Sequence, residues 1–453
     1  MQEEEYRAQL VNFSKYGLCL SVSHPRFVIK KSDLLKDINI KINNTTIYNA
    51  NGVIVNIEQN NNVLEIGVSL QEETIPVDKI LSMSNKDKVA FSYNLLSKDV
   101  YVKDRVLLEF KSLVQDFYFL LRNIEHNLLK FENSIKKESL EIRKKLSNEM
   151  IDLLEEKVFS SLDEHMVELN NLAKNVRSED YDEYKLYYQR VLHPLILQSP
   201  FINRVYYKPL GYAGDYEIMN MLYANKPKGC TLFAKFVDKY YLSITPSRAN
   251  RNRLTYIINK IKINALKYLK NNQRIKISSI GCGSCLEIQS LLKTEEISNH
   301  IDFTLFDVDK DALNCANKKL TLLRDKYKRQ ATFTYINESI FNLIKRQEVR
   351  DLIEDDQHII YSLGLFEYLS DVSIRRLLQV LFQKLACNGL LSVGNYSDKN
   401  IFKNHMELGG EWFLFYKNKA KMLEMTKAVE EKHNSYVESE PLGSINFLIM
   451  EKK

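Results

Sequence analysis

No apolar run in this 453-residue chain approaches the roughly 18 residues that cross a bilayer. The acidic start, MQEEEYR, lacks the basic and apolar blocks of a signal peptide, so the expected location is cytoplasmic. Cysteine is scarce and scattered, at Cys19, Cys230, Cys282, Cys285, Cys315 and Cys387. Only Cys282 and Cys285 stand as CxxC. No second pair or histidine cluster completes a zinc site, so both read as small turn-filling residues and no metal is expected. Repeats and low-complexity linkers are also lacking, and the length implies two or three domains.

What is present begins at Ile275 to Glu287 (IKISSIGCGSCLE). An apolar run breaks at Gly281 into a tight loop, and a helix follows. The glycines let the backbone turn and lie against a ligand while the helix offers its N-terminal amides. A second apolar run, IDFTLF, ends at Asp307, where a carboxylate can accept hydrogen bonds from ribose hydroxyls. Dinucleotide sites want a third glycine, GxGxxG, but Leu286 stands there, so a ligand without a pyrophosphate fits better.

Strands are expected at Thr332 to Ile336, His358 to Ser362 and Leu390 to Asn395, with a helix at Ile374 to Leu385 and the turn Asn388-Gly389. A helix near Lys419 to Glu430 and strands Ser435 to Glu440 and Ile445 to Glu451 follow, around Pro441-Leu442-Gly443. Alternating βαβ order predicts an α/β fold with a parallel sheet. The closing antiparallel hairpin resembles class I S-adenosylmethionine-dependent methyltransferases, with their Rossmann-like sheet.

Ahead of this, residues 1 to 85 alternate as strands in INIKI, GVIVNI and VLEIGVSL between Asn-rich turns, which predicts a small β-barrel. Residues 100 to 200 read as helical, with stretches such as Asn133 to Lys157 free of Gly and Pro. Residues 201 to 453 make the catalytic domain with its helical lid. The net charge of +6 is uneven. Residues 226 to 276 hold thirteen Lys or Arg and one acid, Asp238. Such a run attracts nucleic acid, an acidic carrier or an anionic head group, or is the solvated face of a helix from Ser247 to Asn271.

The first segment resembles PilZ domains, which bind cyclic di-GMP. Asn12-Phe13-Ser14-Lys15-Tyr16-Gly17 is similar to their [D/N]xSxxG turn, and the resemblance implies ligand contacts by Asn12, Ser14 and Gly17. The upstream RxxxR clamp is missing and only Arg7 precedes the turn, so the cation pair for the ligand's charge is absent. A degenerate docking module is the alternative.

A sharper resemblance spans residues 190 to 453. RVYYKPLGYAGDYE at 204 to 217, ANRNR at 249 to 253, GLFEYL at 364 to 369 and HMELGGEWFLFY at 405 to 416 are similar to a methyltransferase family of 3-hydroxypalmitic acid methyl ester biosynthesis. The resemblance implies S-adenosyl-L-methionine as cofactor and carboxyl O-methylation of a hydroxylated fatty acid, free or on an acyl carrier. It assigns Gly281, Cys282, Gly283 and Glu287 to the cofactor loop, Asp307 and Asp309 to the ribose, Glu338, Ser339 and Ile340 to the adenine, and Gly364 and Leu365 to the methyl group. The KPLGYAGDYE loop is placed to close over the cofactor, with Asp215 at a helix start.

A carboxylate already exposes its lone pair at neutral pH, so the chemistry needs orientation and water removal rather than a base. Candidates to hold it are Arg204, Tyr212, Arg251, His405 and Tyr416, with Trp412 walling an acyl pocket. Each also has an ordinary packing or surface reading. The alternatives are methylation of RNA or DNA, suggested by the basic stretch, and a non-catalytic cyclic-dinucleotide effector. Against the first, SLGLFEYL stands where base-amine methylases place [D/N]PP[Y/F].

Overall fold

The structure, a computed structural model, describes residues 8–14, 17–23, 30, 33–42, 45–60, 63–70, 105–177, 180–269 and 274–453. The chain divides into two compact units, residues 1–103 and 104–453.

The first unit is a five-stranded antiparallel curled sheet. Strands β1 (Gln9–Ser14), β2 (Gly17–Ser23), β3 (Leu34–Ile42), β4 (Thr45–Asn60) and β5 (Val63–Leu70) lie in the order β1-β2-β5-β4-β3. Its core comes from period-two positions: Leu64, Ile66 and Val68 of β5 meet Leu18 and Val22 of β2 and Ile54 of β4. INIKI, GVIVNI and VLEIGVSL fall in β3, β4 and β5. Asn12, Ser14 and Gly17 flank the β1–β2 turn, where Ser14 pairs with Gly17. Their side chains, and Arg7 altogether, lie outside the described residues.

The second unit opens with three helices, α1 (Leu108–Ser134), α2 (Leu140–Ala173) and α3 (Tyr181–Ile196). In α1, Phe110, Leu113, Val114, Phe117, Leu121, Ile124 and Leu128 recur at helical spacing and are all buried. Four helices lead to the sheet: α4 (Pro200–Tyr207), α5 (Tyr216–Ala224), α6 (Leu232–Ser243) and α7 (Thr245–Tyr268). Ser199, Asp215 and Thr231 start the first three by accepting the amide three residues on.

Then β6 (Ile275–Ile280), α8 (Leu286–Thr294), β7 (Ile301–Asp307), α9 (Lys310–Lys326), β8 (Thr332–Asn337), α10 (Ile340–Lys345), α11 (Gln347–Arg350), β9 (Gln357–Ser362), α12 (Asp371–Gln383), β10 (Leu385–Tyr396), α13 (Lys403–Gly410), α14 (Lys419–Met425), β11 (His433–Ser439) and β12 (Ile445–Lys452) complete the chain. The seven strands lie in the order β11-β12-β10-β9-β6-β7-β8, with β12 antiparallel to both its neighbours and the rest parallel. Successive residues face opposite layers. Ile359 and Tyr361 of β9 point to the core shared with α1–α9, whereas Ile360 points to the core under α10, α12 and α14.

Expected elements appear with modest shifts. Strand β10 begins five residues before the expected Leu390, because its pairing with β9 tolerates an irregularity between Leu385 and Leu390 around left-handed Asn388. Helix α7 buries Ile257, Ile261 and Ala265. It also buries Asn250 and Arg253, so Arg253 is not on a solvated face.

Candidate active site

The carboxyl ends of β6, β7, β8 and β9 converge on one edge of the sheet. After β6, Gly281 and Gly283 adopt φ of +68° and +54°, and Cys285 takes φ +55° at the start of α8. A Cβ at Gly281 would press on Leu365 at 3.3 Å, and one at Gly283 would face Tyr216 at 3.8 Å. Both glycines therefore serve backbone conformation, and Gly281 also close approach.

Asp307 ends β7. Its Oδ2 accepts the Gly283 amide at 2.7 Å and its Oδ1 the Asp309 amide at 2.9 Å. Burial pushes the Asp307 pKa up, and those amides oppose the shift. Each oxygen keeps a lone pair for a further donor. Asp309 caps α9 through the amides of Asp311 and Ala312. Beyond β8, Glu338 accepts from Asn342 at 2.8 Å, Ser339 caps α10, and Ile340 is half-buried beside them. Cys282 and Glu287 instead face inward. Burial raises the Cys282 thiol pKa and that of Glu287, whose carboxylate accepts the Tyr361 hydroxyl at 2.7 Å.

A strap from Lys208 to Tyr216 crosses this edge. Lys208 Nζ donates to Glu411 O at 2.9 Å, and Asp215 caps α5. Gly214, at φ +71°, lies against Tyr368 and Trp412, where a Cβ would meet the Tyr368 hydroxyl at 2.6 Å. Arg204 grips the buried Asp215 carboxylate with two hydrogen bonds, at 3.1 and 2.9 Å. Its charge is thus spent on the strap rather than left for a substrate. Tyr212 donates to Asp309 Oδ2 at 2.6 Å, which puts it beside the tip of β7.

The remaining candidates sit elsewhere. His405 is buried, with its Nδ1 2.6 Å from the Tyr188 hydroxyl and its ring stacked on Tyr241. Burial, with help from His193, depresses its pKa to about 3, so it is neutral and offers no cation. Tyr416 lies edge-on to Tyr396 with Lys403 over its ring. Arg251 donates to the Leu222 carbonyl at 3.4 Å. Trp412 donates its indole N–H to the Tyr368 hydroxyl at 2.8 Å. It also walls an apolar cavity of about 40 Å³ with Phe201, Val205, Tyr241, His405 and Met406.

A buried cation, Arg253, does lie just beyond the carboxyl end of β9, against Gly364. It is 4% exposed, donates from Nη1 to Leu363 O at 2.8 Å and pairs with Glu367 at 3.5 Å. Glu367 is buried with Oε2 unpartnered, and burial raises its pKa to about 7, offset only in part by Arg253. Both lie inside motifs already noticed, ANRNR and GLFEYL. The signal for Arg253 was its place in the stripe 250, 253, 257, 261, which is the buried face of α7.

A glycine cradle, a carboxylate with free lone pairs at the next strand tip, and an open strand end at Gly364 fit S-adenosylmethionine. Glycine loop, Asp307 and a seven-stranded sheet closed by an antiparallel hairpin define a Rossmann-like class I methyltransferase. The chain belongs to the family described as "Putative methyltransferase", whose model matches residues 148–381. Comparison with curated protein sequences gives no match.

Several solved structures are similar. A possible exported protein of Bordetella parapertussis is 14% identical, with 65% of this chain and 97% of that one covered and a TM-score of 0.43. The magnesium protoporphyrin IX methyltransferase of Synechocystis with bound S-adenosylhomocysteine is 11% identical, covering 56% and 98%, at 0.36. The N-methyltransferase NodS of Bradyrhizobium japonicum with S-adenosylhomocysteine is 15% identical, covering 48% and 92%, at 0.30.

Proposed function

We propose that this chain methylates the carboxylate of a small apolar acid, a hydroxylated fatty acid being the first candidate, with S-adenosylmethionine as donor. The observation that carries the reading is Arg253, a buried guanidinium beside Gly364. When bound, the donor supplies an electrophilic methyl on a sulfonium. Asp307 would hold its ribose, the backbone of Gly281 to Gly283 would take its methionine part, and the strap with Tyr212 would exclude water. Arg253 takes over the role first expected of Arg204 and would orient the acceptor carboxylate. Transfer of the methyl to that carboxylate oxygen, with the thioether as leaving group, would require no proton to be moved. The apolar cavity behind Trp412 would take the acid's tail. At about 40 Å³ it holds a few carbons in this closed arrangement, so a long acyl chain requires α4 and α13 to part.

A second reading follows from Glu367. An unpartnered oxygen on a carboxyl that titrates near neutrality suits a general base for a hydroxyl or amine acceptor. Methylation of nucleic acid is less favoured, because Lys239, Lys260, Lys262, Arg274 and Lys276 of the basic stretch are matched by acids within the chain. Regulation by cyclic di-GMP through the first unit stays attached to the PilZ resemblance.

The test is transfer of label from S-adenosylmethionine to acids of increasing chain length, free and carrier-bound, beside the matching alcohols, amines and an RNA control. Base-labile esters, and loss of turnover in Arg253→Met with cofactor affinity kept, are expected. Labelling of alcohols or amines alone transfers the assignment to Glu367 chemistry, and labelling of RNA alone removes both.

A further inference from the structure

While several cations of the basic stretch are paired internally, Lys226 and Lys228, which project from the segment after α5, have no side-chain hydrogen bond or ion pair among the described residues. They share a cavity of about 520 Å³ with Lys293 of α8 and Lys319 of α9, whose side chains are equally without partners among the described residues. Two acids line the same space. Asp238 is committed, since it accepts from Ser199 Oγ, the Phe201 amide and the Lys228 amide at 2.7 to 2.9 Å. Glu217 alone remains against four ammonium groups.

Lysines from three segments line one open cleft, with Lys226, Lys228 and Lys293 exposed and Lys319 half-buried, and Glu217 offsets their mutual repulsion only in part. A multiply charged anion would offset the rest. The volume suits a small molecule rather than a polymer backbone. Met221, Leu242, Leu254 and Leu286 offer an apolar wall to the body of such a ligand. Ammonium groups bind phosphate as point charges, without the planar fork that favours carboxylates. We propose that this cavity is a second ligand site, distinct from the cofactor cleft, that binds a phosphate-bearing small molecule. The site reaches the cofactor loop from behind, because Asn220 of its wall accepts from Ser284 Oγ and Gln289 donates to Ser284 O, both at 2.7 Å.

Calorimetric titration of the full chain, with S-adenosylhomocysteine filling the cofactor cleft, tests this with ADP, coenzyme A and inorganic pyrophosphate as probes. At least one is expected to bind below about 1 mM, more weakly as salt is raised. Each lysine replaced by alanine should cost about tenfold, so Lys226→Ala with Lys293→Ala should approach about hundredfold while S-adenosylhomocysteine affinity holds. Lys319→Ala, at a half-buried position of α9, gives an independent third variant, and circular dichroism checks the fold of each. Coenzyme A far tighter than ADP identifies a pantetheine phosphate as the source; equal affinities identify a nucleotide. The proposal is overturned by no binding of any probe, by binding indifferent to the lysines, by displacement with S-adenosylhomocysteine, or by an RNA oligonucleotide that uses these lysines where the small phosphates do not.

Discussion

Replacing Gly364 by alanine adds one methyl group and tests the arginine assignment from the substrate side. The new Cβ would lie 2.8 Å from Nη1 of Arg253, 3.1 Å from Nη2 and 3.3 Å from Cζ. Ordinary contact begins at 3.4 Å, so the guanidinium must retreat by roughly 0.6 Å. Gly364 is not among the residues with positive φ, and backbone strain does not enter. Arg253 cannot retreat freely, because it is buried, bonded to Leu363 O at 2.8 Å and paired with Glu367. A shift of that size takes the carbonyl bond out of good geometry. One hydrogen bond from a charged group is worth about 1.5 to 3 kcal/mol. If Arg253 orients the acceptor, kcat/KM for it should therefore fall about ten- to a hundredfold.

The assay pairs initial rates at varied acceptor with calorimetry of S-adenosylhomocysteine. Cofactor affinity should move less than about threefold, because the glycine loop and Asp307 are untouched. A kcat/KM within a factor of about two of the parent refutes the reasoning. So does a parallel loss of cofactor affinity, which would place Arg253 on the cofactor instead.

Asp307→Ala should weaken cofactor binding at least about tenfold by removing the ribose acceptor, and unchanged calorimetric affinity with the fold intact would remove that role. Arg204→Ala leaves the buried Asp215 carboxylate without its cation. Unfolding in urea should show a loss of about 1 to 3 kcal/mol, below the figure for fully buried pairs because Arg204 is 23% exposed, and no loss would mean the strap is held otherwise. Glu367 has a folded pKa raised to about 7, so its protonated form is favoured by folding. Its contribution is complete below the ordinary carboxyl range and is lost as pH rises through about 7. Relative to Glu367→Gln, the parent should lose up to about 3 kcal/mol between pH 5 and pH 8, and parallel stability curves would contradict this.

The sheet was legible because its signals are local. An apolar run, a glycine turn and a helix start recur within a dozen residues, and the strands predicted after Asp307 lie within a few residues of β8, β9 and β12. The partners of charged residues were not legible, because they come from far along the chain. Arg204 and Asp215 are near in sequence yet were read as separate candidates, one for the substrate and one for a helix cap. Only the strap's path, bent at Gly211 and Gly214, folds them onto each other.

The same limit governs the basic stretch. Counted along the chain, thirteen cations face one acid and suggest a polyanion surface. In space, Asp152 and Glu155 of α2 meet Lys239, Glu438 of β11 meets Lys260, and Asp302 of β7 meets Arg274. Sequence charge therefore overstates the field that a ligand would meet. What survives the pairing is informative for that reason. Arg253 keeps its charge in a buried position, where desolvation of the guanidinium is costly and the Leu363 carbonyl and Glu367 offset it only in part. The weak, long contact with Glu367 fails to satisfy either group fully: Arg253 Nε and Glu367 Oε2 are both left without partners. Two half-satisfied charges at the methyl-facing edge are costly to the free protein, and a carboxylate seated between the guanidinium and a protonated Glu367 would satisfy both at once.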